Sequence, residues 1–197
     1  MSKKKINVDL DGTVVNFLDG LTSRLHDFGY RAHDLTSYHL LDIFKPQTLT
    51  RFNFGLWCNR FDDCILDLVV SPSFWEFLEA YPFAVNAVKA LSIKYDVSIV
   101  SCPWHSAVEM STRGKKRWCE NHFPGIETHF DCEKKYYPAD YFIDDYPASL
   151  EGWEGLCDGK ALIVNRPYND SSTGWIEIMK ELGFELTNDI FIERTEK

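Results

Sequence analysis

The chain has 197 residues, of which 45% are hydrophobic, 15% aromatic and 26% charged. This length and composition predict one globular domain, or one core with a small insertion, and exclude fibrous and globally disordered proteins. The formal net charge of −9 excludes broad electrostatic contact with a nucleic acid polymer, so an anionic ligand has to be small and locally neutralised.

The sequence contains neither a run of about eighteen apolar residues, as a membrane span requires, nor an apolar secretory signal at its start. We therefore expect a cytoplasmic protein with no membrane partner. Its six cysteines are scattered, with no Cys-x-x-Cys pair, and we expect them to be reduced and mostly buried.

Short apolar runs predict four strands and a weaker fifth. In chain order they are 5–9, 96–101, the weaker 126–130, 141–144 and 161–165. Their nearly continuous apolar character is typical of strands covered on both faces. Helical patterns at 83–93 and 106–122 alternate with them, which indicates an α/β fold with a Rossmann-like parallel sheet. Lys115 and Lys116, in the second of these helices, are expected on a solvated face.

The interval 15–81 breaks this alternation. It has helical spacing and many aromatic residues but no good strand, which predicts a small helical cap inserted after the first strand. The sequence then divides into an α/β core of residues 1–14 and 82–197 and a cap of residues 15–81. A cap at this point would lie over the carboxyl ends of the strands, where open α/β folds bind their ligands.

Acidic and hydroxyl side chains stand at the predicted strand ends. Asp9 and Asp11 close the first strand, where alternation places both on one side. Ser101 ends the second strand, and the pair Asp144 and Asp145 ends a later one. Because parallel strands deliver their carboxyl ends to one edge of the sheet, we expect these groups to converge. Carboxylates this close repel one another unless a cation or a shared proton compensates.

Oxygen ligands of this kind suit Mg²⁺, which usually keeps several waters and also binds a substrate phosphate. Asp9, Asp11 and one member of the later acidic pair therefore predict a magnesium site for phosphoryl transfer. A carboxylate in line with phosphorus can form an aspartyl-phosphate, and a second acid two residues on can handle the proton. Lys134 and Lys135 are the candidates for the second cation that such a reaction needs.

In chain order, these residues form an Asp-x-Asp strand end, a serine strand end, a lysine and an acidic pair. That order resembles the four motifs of the haloacid dehalogenase superfamily. The closer resemblance is to the 5'(3')-deoxyribonucleotidases, through the segments 9–12, 101–103, 116–118 and 143–145 together with Phe17 and Lys134. The resemblance implies a core of the haloacid dehalogenase type and an Mg²⁺-dependent phosphomonoesterase acting on (deoxy)nucleoside monophosphates. Its partner would be this small substrate, and a homodimer is left open.

The same resemblance implies roles for individual acidic residues. Asp9 would be the nucleophile and a metal ligand. Asp11 would be the acid and base, and its main-chain carbonyl would face the metal. Of the later pair, Asp145 is preferred over Asp144 as a metal ligand.

The resemblance also implies which residues bind the substrate. Ser101, Cys102 and Lys134 would bind the phosphate, and Lys134 is preferred over its neighbour because it lies ten positions before the acidic pair. Where the family usually has Thr-Ser-Pro, this chain has Ser101-Cys102-Pro103, so a thiol replaces one hydroxyl. The pocket for the nucleobase would be lined by Phe17, Phe74 and Trp75.

Three other functions are compatible with the same residues. One is a phosphatase of another small metabolite, because residues 34–64 of the cap match no motif of the family. Another is a phospho-accepting receiver module, but Asp11 and the helical insertion favour turnover over a long-lived phosphoaspartate. A catalytically silent relative ranks last, since its clustered charges would repel one another without serving a reaction.

Overall fold

The computed structural model describes residues 2–32, 40–44, 51–156, 158–169 and 171–194, with residues 41, 42, 51–59 and 155 described by their backbone alone. Its strands are β1 (Lys5–Val8), β2 (Asp96–Ser101), β3 (Glu127–Phe130), β4 (Tyr141–Asp144), β5 (Lys160–Ile163), β6 (Phe184–Thr187) and β7 (Ile190–Glu193). Its α-helices are α1 (Phe17–Asp27), α2 (Leu40–Phe44), α3 (Arg51–Val69), α4 (Pro72–Glu76), α5 (Ala84–Lys94), α6 (Val108–His122), α7 (Trp153–Leu156) and α8 (Trp175–Glu181). None of these helices is long and apolar enough to span a bilayer.

Five of the strands form one parallel sheet in the order β3-β2-β1-β4-β5. β1 lies at the centre, where Val8 pairs with Ile99 of β2 and with Ile143 of β4. This register brings the carboxyl ends of β1, β2 and β4 to one edge of the sheet. The predicted α/β fold with a parallel sheet is confirmed, and the weaker predicted strand is present as β3.

Both faces of the sheet are covered. Along β2, Ile99 belongs to a large apolar cluster, whereas its neighbour Val100 belongs to a smaller one. β4 repeats this division with Ile143 and Phe142. Neighbouring residues of a strand point to opposite faces, so the two clusters are cores on the two sides of the sheet. The nearly continuous apolar character of the strands follows from this double burial.

The long interval between β1 and α5 contains α1 to α4. The two ends of this interval lie next to each other. Asn16 donates its N–H to the carbonyl of Glu79 at 2.8 Å, and Tyr81 donates its N–H to the carbonyl of Val14 at 2.8 Å. The predicted division into an α/β core and a helical cap is compatible with these contacts and stays a prediction.

β6 and β7 form a separate antiparallel pair that the sequence analysis does not predict. Asn188 and Asp189 turn the chain between them with φ values of 50° and 62°. The pair packs on α5 and α8, and the buried ring of Phe191 lies 6.5 Å from that of Phe83. The hairpin therefore extends the larger core.

Two of the cysteines form a disulfide bond. Ser101 at the end of β2 pairs with Phe130 at the end of β3, so the segments that follow these strands are close neighbours. Cys102 and Cys132 lie in these segments, are exposed, and are bonded to each other. The prediction of reduced, mostly buried cysteines is wrong for this pair. The two are 30 residues apart in sequence, and parallel strand pairing alone brings them together.

The other cysteines are not part of this bond. Cys119 is buried and Cys64 half-buried, and neither forms a disulfide, which agrees with the prediction. The side chains of Cys58 and Cys157 lie outside the described residues.

α4 lies against α6 at Gly114, which has no side chain in the way. A Cβ atom there would collide with the carbonyl oxygen of Pro72 and lie 2.6 Å from Cβ of Trp75. We expect Gly114→Ala to lower the free energy of unfolding by about 1–3 kcal/mol, because overpacking outweighs the gain of about 1 kcal/mol in helix propensity. Urea denaturation measures this, with Lys116→Ala on the exposed face of α6 as the matched control. Equal midpoints for the two variants would contradict the close packing.

Candidate active site

The chain turns sharply after β1, between the two acidic residues and the first helix. Gly12 has a φ of 77°, and a Cβ atom on it would overlap the carboxylate of Asp145. That atom would also lie 2.7 Å from the Tyr168 hydroxyl. The turn therefore requires glycine, both for its backbone conformation and for the close approach of polar side chains.

Lys134 lies between acidic residues at the carboxyl ends of the strands. The 3-10 turn Lys134–Tyr136 places its Nζ 2.9 Å from Asp9 Oδ1 and 2.6 Å from Asp144 Oδ2. Burial opposes the charged form, but the two carboxylates outweigh this effect and raise the pKa of Lys134 above its usual value. Lys135 instead pairs with a glutamate at the surface. The structure thus brings the preferred lysine of the two to the acidic residues.

Asp144 fixes the position of this lysine. Besides Lys134, it accepts hydrogen bonds from Ser149 Oγ at 2.7 Å and from the Tyr146 N–H at 2.9 Å. Three donors therefore surround a carboxylate that is completely buried. A carboxylate held in this way orients the ammonium group that it contacts.

Asp145 has a different set of partners. Its two oxygens accept hydrogen bonds from Thr13 Oγ1 at 2.8 Å and from the Tyr168 hydroxyl at 2.6 Å. Burial, together with the charge of Asp144, raises the pKa of Asp145 to about 6, although these hydrogen bonds act in the opposite direction. Asp145 is thus buried and oriented but has no cation in direct contact among the described residues.

Asp9, Asp144 and Asp145 form a buried cluster with an oxygen of each within 4.8 Å of the others. Burial is the main cause that raises the pKa of Asp9 well above its ordinary value, and the neighbouring carboxylates add to it while Lys134 opposes it. A cation at the cluster would favour the charged carboxylates. Three buried carboxylates within a few ångströms are a donor set that fits a hard divalent cation such as Mg²⁺.

The carboxylate of Asp11 lies outside this cluster. Its Oδ2 pairs with Lys115 Nζ at 2.5 Å, and its Oδ1 is buried without a hydrogen-bond partner among the described residues. A buried oxygen of this kind is satisfied when a water or a ligand hydroxyl binds next to it. The contribution of the Asp11 main-chain carbonyl to the metal site stays a prediction.

Lys115 is a second buried cation, which the sequence analysis missed. Its Nζ lies 2.6 Å from the carbonyl oxygen of Cys102 and 3.4 Å from Ser101 Oγ, in addition to its ion pair with Asp11. The expectation of a solvated helix face is wrong for Lys115, whereas Lys116 is exposed. Two lysines from different parts of the chain therefore contact the acidic residues directly.

Helical spacing is the signal that could have found Lys115. It lies four residues after Ser111 and three before Trp118, and all three are buried on one face of α6. Positions three and four apart share a helix face, so a lysine in this series has to be buried with a partner.

One cavity brings the predicted polar residues together. It has a volume of about 340 Å³ and opens at the carboxyl ends of the strands. The thiol of Cys102 is not available as a donor there, because its sulfur is bonded to Cys132. The residues predicted for catalysis, phosphate binding and metal binding all line this cavity: Asp9, Asp11, Ser101, Cys102, Lys134, Asp144 and Asp145.

The predicted aromatic residues occupy two layers. Phe17 lines the cavity, stacks on Trp75 with ring centres 5.4 Å apart, and meets Phe74 edge-on at 6.1 Å. Trp75 and Phe74 are buried, and Trp75 donates its indole N–H to the carbonyl of Val69. Both rings therefore pack behind Phe17. Trp104, which the sequence analysis did not single out, also lines the cavity, and its ring centre lies 5.5 Å from that of Phe17.

The segment after β5 contributes residues that the sequence analysis also missed. Arg166 donates hydrogen bonds to the carbonyl oxygens of Gly12 and Thr13, and its guanidinium lies 3.5 Å from the centre of the Tyr81 ring. It thereby holds the turn that follows Asp11. No motif signals this role, because main-chain carbonyl acceptors leave no mark on the sequence.

A family model described as "5' nucleotidase, deoxy (Pyrimidine), cytosolic type C protein" matches residues 3–179. The chain belongs to this family. It is therefore a phosphoric monoester hydrolase of the nucleotidase type, as the order of its motifs predicts.

Individual relatives agree with this assignment. A Staphylococcus epidermidis protein is 25% identical over 187 residues, which cover 90% of this chain and 95% of that protein. A Clostridium acetobutylicum protein named 5'(3')-deoxyribonucleotidase is 26% identical over 162 residues, which cover 79% and 80%. A Burkholderia xenovorans structure described as haloacid dehalogenase-like has a TM-score of 0.53, 15% identity and coverages of 98% and 94%. The fold is thus of the haloacid dehalogenase type.

Removal of the Lys115 ammonium would leave the Asp11 carboxylate and the Cys102 carbonyl without their shared partner. We expect Lys115→Met to lower the free energy of unfolding by about 2–4 kcal/mol, because an uncompensated charge inside a protein is costly. Urea denaturation tests this, with Lys116→Met at the adjacent exposed position as the control. If both variants unfold at the same urea concentration, the buried ion pair does not stabilise the protein.

Proposed function

We propose that this nucleotidase is a 5'(3')-deoxyribonucleotidase that requires Mg²⁺ and hydrolyses (deoxy)nucleoside monophosphates through an aspartyl-phosphate. The observation that carries the proposal is the meeting of Asp9, Lys134 and the pair Asp144 and Asp145 in one buried cluster. The family description and the name of the Clostridium acetobutylicum relative support the substrate class.

Asp9 and Asp145 would hold the Mg²⁺ through their side chains, and Asp11 through its main-chain carbonyl. Asp144 belongs to the same cluster, but three donors engage it, so its role is to fix Lys134. When bound, the metal would neutralise charge on the phosphate and help to align it.

Asp9 is the nucleophile in the proposed reaction. One of its oxygens forms a bond to phosphorus while the bond from phosphorus to the substrate's ester oxygen breaks. Asp11 gives its proton to that oxygen, which leaves as a nucleoside hydroxyl, and then takes a proton from water. The water oxygen bonds to phosphorus, the bond to Asp9 breaks, and inorganic phosphate leaves. The unpartnered Oδ1 of Asp11 is the atom available for both proton transfers.

The phosphate oxygens would be bound by groups from two strand ends. Ser101 offers its hydroxyl and Lys134 its ammonium, and both line the cavity. Cys102 would contribute its main-chain N–H, because its sulfur is in the disulfide bond. These donors would stabilise the negative charge of the transferring group.

The nucleobase would bind beside Phe17. A smaller cavity of about 140 Å³ adjoins the acidic residues, and Phe17 and Trp104 are part of its wall. Flat aromatic faces are suited to stacking on a base. Phe74 and Trp75 would support Phe17 from behind, since Trp75 stacks on it directly.

The remaining assignments belong to the same proposal. Residues 1–14 and 82–197 form the core that carries the chemistry, and residues 15–81 form the cap that sets substrate specificity. The partner is a small phosphomonoester rather than a nucleic acid polymer, and the reaction takes place in the cytoplasm.

Substitution of the nucleophile tests the mechanism. We expect Asp9→Asn to lower phosphate release by more than about a thousandfold, because the amide cannot form the aspartyl-phosphate. Phosphate release with Mg²⁺ is measured on deoxynucleoside and ribonucleoside 5'- and 3'-monophosphates, sugar phosphates and an aryl phosphate. Asp96→Asn, at the opposite edge of the sheet, is the matched control.

Each outcome of that assay is informative. A preference for deoxynucleotides that is lost in Asp9→Asn supports the proposed function. Hydrolysis of the aryl phosphate alone would keep the chemistry but reject the substrate class. Full activity of folded Asp9→Asn would reject the aspartyl-phosphate.

Removal of divalent cations tests whether phosphate release requires Mg²⁺. We expect EDTA to reduce phosphate release to background and added Mg²⁺ to restore it, because the carboxylates then lose their compensating charge. Calorimetric titration gives a second readout, in which Asp145→Asn binds Mg²⁺ more weakly than the wild type. Undiminished hydrolysis after thorough chelation would remove Mg²⁺ from the mechanism.

A further inference from the structure

The disulfide bond joins the two segments that carry the predicted phosphate donors. Cys102 directly follows Ser101 at the end of β2, and Cys132 lies two residues before Lys134. Both cysteines line the cavity at the strand ends. The bond is thus placed between two parts of one site, rather than in the core of the protein.

The position of this bond makes it accessible to soluble thiols. Cys102 and Cys132 are both exposed, and the cavity that they line opens to solvent. Thiol–disulfide exchange requires a thiolate to reach one of the two sulfurs, so exposure decides which bonds can react. Buried Cys119 is a contrasting case, since burial raises the pKa of its thiol to about 12.

We infer that Cys102 and Cys132 form a reversible thiol–disulfide site that controls the mobility of the phosphate-binding edge, which consists of residues 101–103 and 131–134. In reduction, the thiolate of a small thiol such as glutathione attacks one of the two sulfurs and releases the other cysteine as a thiolate. A second thiol displaces the first from the mixed disulfide. Two small thiols are oxidised to one disulfide, and the protein gains two thiol groups. An oxidised small disulfide reverses the sequence.

The contacts that remain after reduction limit the change to this edge. The ladder between β2 and β3 ends at the pair Ser101 and Phe130, so it does not include the cysteines. Lys134 keeps its contacts with the buried carboxylates, and these contacts anchor the end of the segment that follows Cys132. Residues 102–103 and 131–133 lie between these fixed points and lose their covalent link. Cys102 keeps the hydrogen bond from Lys115 to its carbonyl, and Cys132 keeps the one from the Lys134 N–H to its carbonyl. Reduction therefore loosens these segments without unfolding the sheet.

The consequence for the ligand rests on the proposed function. Donors held in place before binding give a higher affinity than donors that have to be ordered by the ligand. The bonded form keeps the segment after Ser101 next to the segment before Lys134, so it binds phosphate more tightly. The reduced form has to order both segments on binding.

Labelling of the native protein tests the chemistry. The full chain is treated with dithiothreitol and then with oxidised glutathione, and free thiols are labelled with N-ethylmaleimide and located by peptide mass spectrometry. We expect Cys102 and Cys132 to be labelled after reduction and protected after reoxidation, whereas Cys119 stays unlabelled in both states. A bond that survives dithiothreitol, or a pair that stays labelled in excess oxidised glutathione, overturns the inference.

Hydrogen–deuterium exchange tests the structural effect and does not depend on the proposed function. Amides of residues 102 and 131–133 should exchange about tenfold faster or more after reduction, with no change in β1. Cys132→Ser should show the fast exchange with or without dithiothreitol. Cys64→Ser, which removes a thiol elsewhere, is the matched control and should respond as the wild type does. Equal exchange in both redox states overturns the inference, whatever the protein hydrolyses.

Binding of inorganic phosphate with Mg²⁺ tests the effect on the ligand. Calorimetry should show a Kd about threefold to tenfold higher in the reduced protein, and reoxidation should restore it. An unchanged Kd together with faster exchange overturns the control of phosphate binding. If phosphate binds to neither state, the proposed function fails, while the exchange experiment still decides the thiol–disulfide site.

Discussion

Compensation of buried negative charge is the constraint on which the rest of this structure depends. Four aspartates meet at the carboxyl ends of the strands, and burial raises the pKa values of Asp9 and Asp145. Lys134, from the turn after β3, and Lys115, from α6, contact the carboxylates directly. Two ammonium groups do not balance four carboxylates. A divalent cation bound at this cluster would neutralise the remaining charge.

Segments distant in sequence hold the charged groups in place. The turn after β1 is fixed by Arg166, which binds the carbonyls of Gly12 and Thr13. The turn after β3 is fixed by Lys134 and by the disulfide bond. Arg166 acts through hydrogen bonds and Lys134 through ion pairs, whereas the disulfide depends on the thiol chemistry of the surroundings. The site therefore combines non-covalent contacts with one covalent bond that thiols can open.

Much of the architecture could be predicted because it follows from local patterns. Continuous apolar runs indicate buried parallel strands, and acidic residues just after them indicate a polar edge. The order of the motifs then identified the superfamily. Lys115 was mispredicted although its helical spacing places it on the buried face of α6. The pair Cys102 and Cys132 was mispredicted because the bonding of two cysteines depends on which strands lie side by side, and spacing along the chain does not contain that information.

The sequence by itself determined the fold class, the family and the residue types available for chemistry, because strand periodicity and motif order are written along the chain. Only the tertiary structure decided which partner each of these residues contacts. Asp144 forms an ion pair with Lys134, whereas Asp145 accepts hydrogen bonds from two hydroxyl groups, although the two aspartates are adjacent in sequence. The physical reason is that successive residues at a strand end point in different directions, so each meets a different neighbouring segment.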